Sequence, residues 1–102
     1  MNKYKNRKTK VDNIVFASAK ESRRYLELKL LQKAGEISDL ELQPSFRIEI
    51  NGDLICTYKG DFFYRDKQGL PVTEDCKGFL TPIYRLKKKL VKAVLGVEIR
   101  ET

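Results

Sequence analysis

The chain has no histidine and no tryptophan among its 102 residues, and only two cysteines, three prolines and one methionine. Without histidine, Ser-His and Cys-His nucleophile pairs, histidine general bases and histidine-bound metal nucleases are excluded. Cys56 and Cys76 stand 20 residues apart with no CxxC pair, which argues against structural zinc and for two reduced thiols. No apolar run approaches the roughly 20 residues that cross a bilayer, and the N-terminus lacks the apolar stretch of a signal peptide. The expectation is a soluble, cytoplasmic protein with no membrane partner. Any catalysis must come from carboxylates, lysine, tyrosine and a metal.

What the sequence does have is charge. Apolar residues make up 41% and charged residues 34%, which suits one globular domain with a single modest core and a highly charged surface. The net charge of +7 is unevenly placed. Residues 1–10 carry Lys3, Lys5, Arg7, Lys8 and Lys10 with no acid, and residues 81–94 carry Arg85, Lys87, Lys88, Lys89 and Lys92 with no acid. The remainder holds 11 basic and 14 acidic residues, so the positive charge is concentrated and favours a polyanion, nucleic acid foremost. A solvated basic surface with no such partner is the competing reading.

Residues 1–13 are polar, basic and aperiodic, and read as a flexible arm able to reach a phosphate backbone, leaving 14–102 as one domain. Ser18 as N-cap, leucines at helical spacing and Gly35 as stop predict a helix over about 19–34. "ISDLELQPSF" reads as a connector. "FRIEI" then alternates as a half-buried strand, Asn51-Gly52 signals a tight hairpin, and "LICTYKGDFFYR" and "LPVTEDCKG" complete a three-stranded meander. Thr81 as N-cap, Pro82 at the first helical position and Gly96 as stop define a second helix with an apolar stripe of Ile83, Leu86, Leu90 and Val94. A last strand, "VEIRE", closes the chain. Helix, three strands, helix and strand predict an α/β fold, a mixed central sheet flanked by helices.

The third strand of the meander carries three charges. Alternation puts Asp75 and Lys77 on one face and Glu74 and Cys76 on the other. Asp61 on the preceding strand lies opposite Glu74 or Asp75, one residue of register deciding which. Two acids on neighbouring strands repel unless a positive charge sits between them. Magnesium resolves this by taking one or two carboxylates and completing its octahedron with water and substrate phosphate. Lys77 beside it would orient a water and offset charge developing at phosphorus. The competing reading is a salt-bridge cluster of structural value only. The same acid-x-lysine pattern also occurs at Glu27-Leu28-Lys29, on a helix where it carries no meaning.

The element order, with Asp61 and then Asp75-Cys76-Lys77, resembles the core of the PD-(D/E)XK nuclease superfamily, the restriction-endonuclease-like fold. More closely, the stretch from Asn13 to Phe46, "DFFYRD", "TEDCKG" and "YRLKKKL" resemble an uncharacterised family of small phage and prophage proteins assigned to that superfamily, over about residues 3–101. The resemblance implies a magnesium- or manganese-dependent endodeoxyribonuclease in a phage-infected or lysogenic bacterial cell. It implies metal ligation by Asp61, Asp75 and the Cys76 backbone carbonyl, a nucleophile-positioning role for Lys77, and a supporting acid in Glu21. Gly60 replaces the proline of the first motif, and the second acid is Asp rather than Glu. Branched or junction DNA as substrate, and a homodimer, follow only by analogy with small resolving enzymes.

Each assignment has a structural rival. Glu21 also completes a capping box with Ser18, Glu74 reads as the partner of a surface lysine or arginine, and Cys76 as a small buried hydrophobe. Arg85, Lys88, Lys89 and Lys92 form a candidate phosphate-binding face, with Tyr84 one turn before Lys88. The rival function is a nucleic-acid-binding or phage interaction protein that keeps the nuclease fold without cutting.

Overall fold

The computed structural model describes residues 8–77 and 79–102, so Lys3, Lys5 and Arg7 of the basic arm lie outside the described residues. A hairpin opens the described chain. β1 (Thr9–Val11) pairs antiparallel with β2 (Ile14–Phe16) through a turn in which Asp12 and Asn13 have φ of 51° and 61°. Asp and Asn tolerate this left-handed region, and positive φ at both central residues is what a type I′ turn demands. Residues 9–13, assigned to the arm for want of periodicity, are therefore a strand and its turn. Three-residue strands are too short to show a period.

Helix α1 (Ala19–Lys33) starts where expected, with extended Ser18 accepting the Glu21 N–H at 3.2 Å. After it come β3 (Ser38–Leu42), β4 (Ser45–Ile50), β5 (Asp53–Lys59), β6 (Phe62–Arg65), β7 (Pro71–Asp75), α2 (Pro82–Leu95) and β8 (Ile99–Glu101). The segment read as a connector is thus β3. It pairs with β6 through a bulge between Ser38 and Glu41, where Asp39 has φ of 57°, and this irregularity breaks the alternation.

The main sheet has the order β3-β6-β7-β8, antiparallel except for β8, which runs parallel to β7. The expectation of a mixed sheet with two helices is met, but the meander is not. "LICTYKGDFFYR" breaks at Gly60 into β5 and β6, and β4–β5 forms a separate two-stranded sheet. Gly60 is buried, and a Cβ there would stand 3.3 Å from both Pro44 Cγ and Thr73 Cγ2. A side chain there would crowd Pro44 and Thr73, so glycine eases the bend.

Instead of one core there are two. Phe16, Tyr25, Leu28, Ile37, Phe62 and Tyr64 cluster with α1, while Ile48, Tyr58, Tyr84, Val91 and Ile99 cluster with α2 and the β4–β5 hairpin. Strand β7 contributes to both: Val72 packs on the first cluster, and Tyr58 of the second reaches Asp75. Helix α2 begins at Thr81, which accepts the Tyr84 N–H, and ends at left-handed Gly96, as predicted. Of the predicted stripe Leu90 packs on the second cluster, but the buried face centres elsewhere. Tyr84 and Val91, seven residues apart, turn inward, whereas Ile83 and Leu86 are 66% and 58% exposed. The Tyr84 ring lies tilted against Tyr58 with centroids 6.4 Å apart, an aromatic contact that the aliphatic stripe does not offer.

Candidate carboxylate site

Glu74 and Asp75 are consecutive and both buried, at 0% and 2% exposure. Alternation along β7 sends them to opposite faces, and the two faces are treated differently. On the α1 side, Arg24 forks onto Glu74 with Nε at 2.8 Å from Oε1 and Nη2 at 2.6 Å from Oε2. The Tyr64 hydroxyl also donates to Oε2 and in turn accepts from Arg100 Nη1 at 3.2 Å. The carboxylate raises the Arg24 guanidinium further above its ordinary pKa. This charge is fully paired, and the expected surface partner of Glu74 is a buried bidentate one. An arginine fifty residues away could not be assigned to it from sequence spacing.

On the other face, pairing of Phe62 with Glu74 decides the open register: Asp61 comes beside Asp75. The Asp61 N–H donates to the Glu74 carbonyl at 3.0 Å, and Asp61 Oδ2 accepts the Cys76 N–H at 2.7 Å. The Asp61 and Asp75 carboxyls each influence the other's titration, and Glu21 adds its charge on Asp61. Burial, the largest cause, raises the pKa of both aspartates. For Asp75 the neighbouring Asp61 adds to this while Tyr58 and Lys77 oppose it, leaving a value of about 6. The pair is thus disposed to share a proton or to take up a cation.

Five further side chains gather on this face. The Tyr58 hydroxyl donates to Asp75 Oδ2, and Lys77 Nζ stands 3.3 Å from Asp75 Oδ1. The same ammonium lies 4.4 Å from the centroid of the Tyr84 ring, within cation–π range. Tyr84 donates to Glu101 Oε2 at 2.8 Å, and Lys88 Nζ is 3.1 Å from that oxygen. The parallel register pairs Glu101 with Asp75. Tyr58 and Glu101 were not anticipated. Glu101 enters only through the β7–β8 pairing, which no local pattern announces, while Tyr58 lies on the inward-alternating face with Cys56 and was legible as core alone.

Glu21 faces the site, and in the cap it is the capped residue: its backbone N–H, not its carboxyl, takes part. Its backbone N–H serves Ser18, and its carboxyl lines a cavity with Asp61. Tyr84 is buried rather than placed for contact with DNA, and Lys88 and Lys92 are paired with Glu101 and Glu98, each at 3.1 Å. The acids that balance α2 come from the β8 region, outside the window in which the helix looked uncompensated. Arg85, Lys89, Lys8 and Lys10 are exposed. Cys76 is half-buried against the first core, with Sγ 3.2 Å from Thr102 Oγ1 and its thiol pushed up to about 11 by burial.

Among the described residues, no group of three or more Cys, Asp or Glu side chains is arranged as a metal cage. Magnesium needs less, one or two carboxylates with water and phosphate completing the octahedron. Asp61 and Asp75 fit that smaller set: both are oxygen donors, on adjacent strands beside one another, with pKa values raised in a way that a cation would reverse.

The missing proline of the first motif has a local reason. The Gly60 N–H donates to the Pro44 carbonyl at 2.9 Å, and a proline has no N–H to give. Gly60→Pro is expected to destabilise by about 2–3 kcal/mol, from the lost bond and the crowded pocket. A urea midpoint equal to that of the parent would contradict this account.

Over residues 1–100 the chain matches the family described as "Protein of unknown function (DUF1064)". No curated protein and no solved structure matches it.

Proposed function

The chain belongs to the DUF1064 family, and we propose that it is a metal-dependent endodeoxyribonuclease with a restriction-endonuclease-like core, acting in phage DNA metabolism. The observation that carries this reading is the strand register that sets half-buried Asp61 beside buried Asp75, with Lys77 Nζ 3.3 Å from the second. Two acids and an ammonium at adjoining strand ends are what metal-assisted phosphodiester hydrolysis requires. Asp61 and Asp75 would hold magnesium or manganese, which supplies Lewis acidity and lowers the pKa of a coordinated water. Lys77, held over Tyr84, orients the nucleophile and offsets charge building on the phosphate. Glu21 adds a third carboxyl at the Asp61 side. Exposed Arg85, Lys89, Lys8 and Lys10 are placed to contact the DNA backbone.

One observation favours the second reading, a nucleic-acid-binding protein that keeps the fold without cutting. Asp75 is 2% exposed, covered by Tyr58 and Lys77. Incubation with magnesium or manganese and a panel of duplex, branched and single-stranded DNAs decides between them. Cleavage by the parent, with at least a 100-fold loss in both Asp75→Ala and Lys77→Ala, is the expected result. Binding without cleavage under every metal condition would leave the non-catalytic reading.

A further inference from the structure

We propose that the cavity between the β1–β2 hairpin and the β3–β4 corner is a subsite for a single unstacked nucleotide, which directs the protein to DNA with single-stranded segments. This inference rests on nucleic acid being the partner, as read above, but not on cleavage.

The cavity has a volume of about 560 Å³, within the range of small-molecule sites and ample for one nucleotide. Its apolar walls are Ile14, Val15 and Leu42, with buried Phe16 behind them, groups that accept the faces of a heterocycle and disfavour a bare phosphate. Gln43 supplies an amide with both donor and acceptor, the chemistry that reads a base edge. Gln43 is held in place: its N–H donates to the Asp61 carbonyl at 2.9 Å, and its backbone sits at φ of 53°. Lys8 lines the same cavity and is exposed, so a cation is available to the nucleotide's phosphate.

The acids complete the argument. Glu21 and Asp61 line this cavity too. A base seated against Ile14 and Leu42 therefore lies beside the Glu21 and Asp61 carboxyls. A base within a continuous duplex must first leave its stack, which costs several kcal/mol, whereas a base in a single strand is already free. The cavity thus discriminates by strand structure, while the basic surface binds without discrimination.

Binding is measured by fluorescence anisotropy in metal-free buffer, with a forked DNA and a blunt duplex of equal length, the fork's single strand carrying 2-aminopurine. The parent should bind the fork about tenfold more tightly, the effect of roughly one well-held base. Ala17→Trp, at the cavity lining, should bring that ratio near one without weakening duplex binding. Gln43→Asn, which keeps a residue tolerant of positive φ, should diminish the 2-aminopurine response. Circular dichroism of both variants secures the fold. Equal affinity of the parent for fork and duplex, or a ratio that survives both substitutions, overturns the subsite. If the ratio behaves as expected while no metal supports cleavage, the nuclease reading falls and the subsite stands. If cleavage occurs with no fork preference, the subsite falls alone.

Discussion

Arg24→Ala is expected to lower the free energy of unfolding by about 3–5 kcal/mol, the cost of leaving a buried carboxylate without its partner. Glu74 is 0% exposed and depends on the two Arg24 bonds and the Tyr64 hydroxyl for compensation. Against a total of about 5–15 kcal/mol for a domain of this kind, the variant would be marginal at room temperature. Arg24→Lys should cost less, since an ammonium preserves charge but not the fork. Replacing both partners, as Arg24→Met with Glu74→Leu, should be milder than Arg24→Ala alone, because no charge is then stranded. Urea denaturation of the four proteins tests the ordering. An Arg24→Ala midpoint within error of the parent would mean that water reaches Glu74.

Asp75→Asn should act in the opposite direction on stability and abolish cleavage. Burial holds the Asp75 carboxyl at about 6 in the folded protein, against 3.8 as its ordinary value. Between those two values the folded state retains a proton that the unfolded chain has released. Stability therefore declines as pH rises through that window and stays reduced above it. Asparagine carries no such charge, keeps an oxygen for Tyr58 and offers an N–H toward Asp61. At pH 7.5 the variant is expected to be more stable than the parent by on the order of 3 kcal/mol, and to lose most of the decline between pH 4 and pH 6. Magnesium should raise the parent's melting temperature and leave the variant's unchanged, because only a ligand that binds the folded state shifts it. A variant less stable than the parent at pH 7.5 would show that the Lys77 and Tyr58 contacts outweigh the burial of charge.

The two helices were legible because their signals are local: Ser18 and Thr81 as caps, Pro82 at the first turn, Gly35 and Gly96 beyond the ends. The same holds for the Asn51-Gly52 turn, both residues at positive φ. The Asp61, Asp75 and Lys77 cluster was legible because it needs only strand alternation and one hairpin. What escaped depends on non-local pairing. β3 hides behind a bulge, β8 delivers Glu101 beside Asp75 from 26 residues away, and Arg24 finds Glu74 across half the chain. The inward face of α2 was misread because aliphatic periodicity was weighed above the tyrosine. Two aromatic rings meeting across elements have no signature within either one.

The two faces of β7 have different evolutionary prospects. Substitutions at Glu74 or Arg24 strike a satisfied ion pair and cost much of the fold's stability, so drift passes through them singly with difficulty. Substitutions at Asp75 relieve a buried charge, so a lineage released from selection for catalysis would gain stability by losing this acid. Under the proposed nuclease role, descendants without the chemistry should be sturdier than their ancestor, which makes loss of the Asp75 carboxylate an easy step and its recovery a hard one.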